Sequence, residues 1–290
     1  MRVASTPSRP RPLQRGLALV MVLWLLVLMT VIASSHSKNI RTETRLAFNQ
    51  VETAKARRLA EAGLNHAILE MLVADTGKRW NVDGEIYPVS FEHGETRVAV
   101  RDVHGLVDIN RASDALLEAI FAAAGVDERD ERRALVDAVL DWRDPDSLKH
   151  LKGAEDDDYL RAGLQWRARD GAFSSVEEFR YILGMTNELY ARLAPYLTVH
   201  SGQAGIARDY APPWLARVLN DNRSLASPAA GTAGGKGTYR ITVHAKTPRA
   251  SSATLEAIVE IATGGREPMR VLTWRTPAWS TDVMPDQAPE

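Results

Sequence analysis

Apolar residues are massed near one end of the chain and patterned over the rest of it. Leu17 to Ala33 is a run of seventeen residues with Thr30 as its only polar member. As a helix rising about 1.5 Å per residue it covers roughly 25 Å, the lower edge of a bilayer span. Helical character continues through "IRTETRLAFNQVETAKARRLAEAGLNHAILEMLV", rich in good helix formers and free of Pro and Gly until Gly63. Within it Ile40, Ala47, Val51, Ala54, Leu59 and Ala62 fall near one stripe. The pattern predicts one helix of more than fifty residues, greasy in its first third and amphipathic after that.

The rhythm then changes. Thr96 to Val103 alternates, with Val98 and Val100 on one face, and predicts a strand ended by His104-Gly105, within β material over about 84–103. From Leu106 to about Tyr196 the pattern is helical, in "DALLEAIFAAAG", "ERRALVDAVLDW", "SVEEFRYIL" and "NELYARLAPYL". Gly125, Pro145, Gly171, Gly184 and Pro195 separate the pieces, and Ser113 and Ser174 or Ser175 stand at N-cap positions. "PPWLARVLND" predicts one more helix and "SLASPAAGTAGGKGT" a linker. "YRITVHAK", "TLEAIVEIA" and "MRVLTW" then predict strands, ahead of a loose tail. Strands on both sides of about ninety helical residues predict an α+β fold with a large inserted all-helical domain.

Composition narrows the function classes. The chain has 290 residues, a formal charge of -1 and no cysteine. The balance argues against a general nucleic-acid binder, and cysteine nucleophiles, disulfides and thiolate metal sites are excluded together. The seven histidines are scattered, without His-x-His or His-Glu-x-x-His spacing, and no G-x-S-x-G elbow occurs. "GTAGGKGT" lacks phosphate-loop spacing and precedes a strand where that motif needs a helix. Trp142, Trp214 and Trp274 are dispersed as core residues are.

The basic residues Arg2, Arg9, Arg11 and Arg15 precede the apolar run with no acid among them, so the N-terminus is predicted to stay cytoplasmic. Three readings then compete. A secretory signal could be cut near "VIASS", giving a start near Ser34. A plain anchor would keep Met1. The third comes from a resemblance. The leader ending in "QRG", followed at once by a hydrophobic helix, resembles the signal of type IV pilins and pseudopilins, which a prepilin peptidase cuts after the glycine, here Gly16, methylating the new N-terminus, here Leu17. "AEAGLNHAI" from Ala60 resembles the end of the first helix of minor pilin-like proteins.

Most pilins carry glutamate at the fifth mature position, where this chain has Met21. That departure narrows the resemblance to the minor pseudopilin K family of type II secretion systems, as do "DWRDPDSLKHLKGAEDDDYL" and "FSSVEEFRYILGMTNELYARLAPYLTV". A bare carboxylate in apolar surroundings is costly without a partner. The resemblance implies that this glutamate meets the amino terminus of the subunit above it in the filament; a tip subunit has no amine above it, so Met21 is what a tip position implies. The resemblance implies a leader over 1–16, a transmembrane and assembly helix over 17–73, and a pilin-like α+β domain over 74–104 and 205–276. It further implies an inserted helical domain over 105–204 and a loose tail over 277–290. It also implies a non-enzymatic part of a secretion machine, single-pass in the bacterial inner membrane with a periplasmic C-terminal domain. Its implied partners are the prepilin peptidase, minor pseudopilins I and J, then H and the major pseudopilin G.

Asp141, Asp144, Asp146, Glu155, Asp156, Asp157 and Asp158 fall within eighteen residues, against Arg143, Lys149, Lys152 and His150. Such a loop can be solvated, its acids capping the following helix. It can also offer a hard cation the six to eight oxygens that calcium takes, although the spacing is not that of an EF-hand. The resemblance implies calcium and carries over Asp141, Asp144, Asp146, Glu155 and Asp156 as ligands. From another class, "LVDINRASDALLEAI" and "GAFSSVEEFRYILGM" look like pieces of helix-hairpin-helix DNA-binding modules. Their turns, "AAGVDE" and "ILGMTNE", lack the second glycine and are followed by acids. Neither nucleic acid nor a chemical reaction is expected.

Overall fold

A computed structural model describes residues 15–73, 76–227, 236–262 and 268–276; within the first helix the side chains of 15–18 and 33–44 lie outside that description. Most of the expected leader and all of the tail 277–290 thus fall outside the described residues. Helix α1 runs Arg15–Met71, 57 residues, and the chain divides into two units at Ala54/Lys55. In the first unit the apolar side chains from Leu19 to Ile32 are exposed. Among the described residues no helix is long and apolar enough to cross a membrane, and both ends of the predicted apolar run lie among the side chains left undescribed.

The second unit opens with the last turns of α1 and the hairpin of β1 (Asp83–Phe91) and β2 (Gly94–Asp102). A 3-10 turn at Val103–Gly105 leads into the helical part. There β3 (Val107–Asp108) is followed by α2 (Asp114–Ala123), α3 (Arg129–Arg143), α4 (Asp156–Arg161) and α5 (Asn187–Leu193). Next come β4 (Leu197–Thr198), β5 (Ile206–Ala207), α6 (Pro213–Asp221) and β6 (Ala226–Ser227). Parallel pairing of β3 with β4 and of β5 with β6 ties the helical part together near its base. The chain then returns through β7 (Lys236–Lys246), β8 (Ser252–Ala262) and β9 (Met269–Arg275). The sheet is antiparallel in the order β1-β2-β7-β8-β9, so everything between β2 and β7 is an insertion between neighbouring strands.

Two cores follow from these elements. Leu59, Ala60, Leu64, Ala67, Ile68 and Met71 of α1 pack on Val98, Val100, Ile241, Val243, Ala257 and Val259, the alternate residues of β2, β7 and β8. Of the stripe expected along α1, Leu59 is buried but Val51 and Ala54 are exposed, and the buried apolar stripe begins at Ala56, one turn after the buried Glu52. Spacing alone cannot tell which of several stripes meets the sheet. The second core joins Leu116, Leu117, Ile120 and Phe121 of α2 to Leu135, Val139 and Trp142 of α3, with Tyr159, Phe173, Phe179 and Leu193. Ile206, Leu215 and Leu219 also pack there, so the helical core reaches past the expected boundary at 204 to α6.

Several local expectations have visible causes. Ser113 Oγ accepts the N–H of Leu116 at 3.3 Å and caps α2. Gly125 and Gly184 take φ of +93° and +88°, which their stop positions require. "SVEEFRYIL" forms a 3-10 turn, Val176–Tyr181, in place of the expected α-helix. Glu178 draws the preceding chain inward there, accepting from Ser174 N at 3.3 Å and from its hydroxyl at 2.5 Å.

Candidate metal centre

Helix α3 is amphipathic, yet two carboxylates stand on its buried side. Asp137 and Asp141, one turn apart, are 1% and 0% exposed. Buried carboxylates require partners, and here the partners belong to the loop that leaves α3. Asp141 Oδ1 accepts the backbone N–H of His150 at 3.0 Å and also meets the His150 ring Nδ1. Asp137 Oδ2 accepts the N–H of Lys152 at 3.1 Å, and its Oδ1 pairs with Arg133 Nε at 2.8 Å. The acidic loop is thereby strapped back along the helix that precedes it. Gly153 permits this approach, since a Cβ there would lie 1.8 Å from Asp141 Oδ2.

At the far end of the loop Asp158 Oδ2 accepts the N–H of Glu155 at 3.0 Å, and Asp158 Oδ1 takes Lys149 Nζ at 2.8 Å and an Arg161 Nη at 2.7 Å. Those bonds start α4, which the sequence pattern did not reveal. What remains is a group of carboxylate oxygens without donors: Asp141 Oδ2, Asp144 Oδ1, Glu155 Oε1 and Asp156 Oδ1. Their crowding shows in their acidity. Burial, then the charges of Asp141, Asp170, Asp144 and Asp156, push Glu155 up to about 7. Burial and the neighbouring Asp146 and Asp141 raise Asp144.

Four of the five residues expected as ligands thus present an unpartnered oxygen. Asp146 differs: it is exposed and its Oδ1 accepts the N–H of Leu148 at 2.8 Å. Asp141, Asp144 and His150 can bring ligand atoms within 4.8 Å of one another. The hydrogen bond to Asp141 raises the affinity of His150 for a proton and engages Nδ1, so the ring orients Asp141. The donor set is all carboxylate, as a hard divalent cation prefers. Three participants were not singled out from the sequence. For Asp137 the signal was an acid four residues before Asp141 on a helix with an apolar face. His150 stood beside the acids without a role. Asp170, at φ +52°, comes from the later turn before Gly171 and acts on Glu155 through its charge; no spacing connects it to the loop. The expected processing residues, Gly16 and Leu17, lie in the first turn of α1.

Residues 99–202 match the family model described as Type II secretion system (T2SS), protein K, and residues 15–65 match PilX N-terminal. Type II secretion system protein K of Pectobacterium carotovorum subsp. carotovorum is 28% identical over 212 residues, covering 64% of this chain and 63% of the relative. The protein K of Aeromonas hydrophila is 29% identical over 213 residues, covering 63% of each. The chain thus spans a little under two thirds of the length of these relatives. The fold is similar to a chain in the crystal structure of the GspK-GspI-GspJ complex from enterotoxigenic Escherichia coli, with a TM-score of 0.53 and 16% identity over 82% of this chain and 99% of that one. The family match falls on the helical part built between β2 and β7, around the carboxylate cluster, and there the chain is similar to type II secretion system protein K.

Proposed function

We propose that the chain is a minor pseudopilin that caps the tip of a short periplasmic filament and helps start its assembly for export across the outer membrane. It acts as a structural part and not as an enzyme. The observation that carries this reading is the coincidence of the family match, residues 99–202, with a bulky helical insertion in an antiparallel sheet laid on α1. Such an insertion suits a position on which no subunit stacks. Met21 in place of an acid supports the same position. In this reading α1 sits first in the inner membrane, N-terminus cytoplasmic, and then in the filament. The partners are pseudopilins I and J, as in the solved complex of similar fold, with H and the major pseudopilin G further down.

Coexpression with a prepilin peptidase and pseudopilins I and J tests it. Intact mass should show a methylated N-terminus at Leu17, and I and J should copurify. An intact Met1, a start near Ser34 or the absence of both partners would overturn the reading.

Within it, the carboxylate cluster holds calcium. Asp141, Asp144, Glu155 and Asp156 would supply its oxygens, with Asp146 turning inward to complete them. The cation would neutralise the crowded carboxylates and hold the loop closed; the chain's own part is to bury Asp141 and to aim it through His150. Because only the folded form gathers these oxygens, calcium should raise the melting midpoint of the full chain relative to chelator. Asp141→Asn should abolish that rise. No shift at millimolar calcium would count decisively against the site.

A further inference from the structure

On the sheet face away from α1, the helical part leaves a small cleft of about 30 Å3. A water needs roughly 10–15 Å3 of such space, so the cleft has room for about two waters or one small group. Arg240 of β7, Arg275 of β9 and His200 line it, with the hydroxyls of Ser175, Thr198 and Thr273. Arg240 is only 6% exposed. It donates through Nη1 to the carbonyl of Pro195 at 2.8 Å and through Nη2 to that of Leu197. Its Nε has no hydrogen-bond partner, and the nearby Glu256 Oε2 stands 3.9 Å away.

Glu256 is held by Arg275, whose Nε and Nη2 donate to Oε1 at 2.9 and 2.6 Å, while Arg275 Nη1 pairs with Glu177. Thr198 Oγ1 accepts the N–H of His200 at 3.2 Å, which leaves its own proton to give. His200 Nε2 lies 3.3 Å from Thr273 Oγ1, and burial depresses the affinity of this ring for a proton. A buried guanidinium with an unmet N–H is costly, and a group with several acceptor lone pairs removes that cost.

We propose that this cleft binds one oxyanion, a carboxylate or phosphate group, with Arg240 as its charged donor and Ser175, Thr198 and Thr273 as its neutral ones. Full-length protein is melted in detergent without calcium, at constant ionic strength, as chloride is replaced by acetate or inorganic phosphate. The midpoint should rise and saturate at millimolar anion. The double variant Ser175→Ala/Thr273→Val, which leaves the ion pairs in place, should need about tenfold more anion, the effect of losing hydrogen bonds to a charged group. Arg240→Lys gives a second reading if it folds. No rise, or a rise that never saturates or is the same in the variant, is general salt exclusion and overturns the proposal. A short peptide ending in a free carboxylate, set against its amide, separates the sources. An effect lost on amidation assigns the group to a protein chain, and a response to phosphate alone assigns it to a free ion.

Discussion

Single residues set the conditions under which each part of the molecule is most stable. His104 closes the 3-10 turn after β2, its Nδ1 2.6 Å from Asp102 Oδ1, and the same oxygen accepts the His104 backbone N–H at 2.9 Å. The hydrogen bond to Asp102 raises the imidazole's affinity for a proton above its ordinary value, against the opposing effect of burial. A raised folded-state value means that the contribution is complete below the unfolded value, about 6.5, and lost as pH rises through the folded one. Melting midpoints from pH 5 to 9 should therefore fall more for the natural chain than for His104→Gln, and parallel curves would show that the pair contributes nothing. Gly153 acts by what it lacks. Any side chain there meets Asp141 Oδ2, a constraint that a sequence states only as one more loop glycine.

At the scale of elements, Gly63 decides how α1 meets the sheet. It sits inside a helix, where Ala is the better helix former by about 1 kcal/mol. Its added Cβ would lie 2.8 Å from Val243 Cγ1 and 3.1 Å from Thr96 Oγ1. Overpacking of this kind costs about 1–3 kcal/mol, so Gly63→Ala should lower the urea midpoint despite its propensity, and Gly63→Leu should lower it much further. A higher midpoint for the alanine variant would mean that the sheet yields. The elements were legible in the sequence where their patterns were strong. Alternation in "YRITVHAK" and "TLEAIVEIA" marked β7 and β8, and Ser113 and Gly125 bracketed α2. β2 was legible from the alternation of Thr96 to Val103, β1 was visible only as β material, and α4 was hidden because its six residues begin with three acids that carry no apolar period. In the carboxylate cluster the acids of the loop were legible. Asp170 was not, because its approach to Glu155 depends on tertiary folding around Trp142, whose carbonyl accepts the N–H of Gly171 at 3.2 Å.

On the scale of the molecule, the two cores are built from separate residues. Phe179→Ala in the helical core should cost about 3–5 kcal/mol and speed hydrogen exchange in α2 and α3 more than in β7 and β8; Leu64→Ala should do the reverse. Equal acceleration in both places for both variants would show a single cooperative unit. The sheet face beneath the helical part is largely polar, with Arg101, Arg240, Thr242 and Glu256 among its residues, so it does not depend on an apolar cover. The insertion also leaves and rejoins the sheet at one place. Asp102, the last residue of β2, stands opposite Tyr239 of β7 in the antiparallel register, and such partners have Cα atoms only about 4.5–5.5 Å apart. A two-residue turn spans that gap. The helical part is, in this sense, an overgrown hairpin loop, and a graft of a different domain between those two strands would meet the same anchor points.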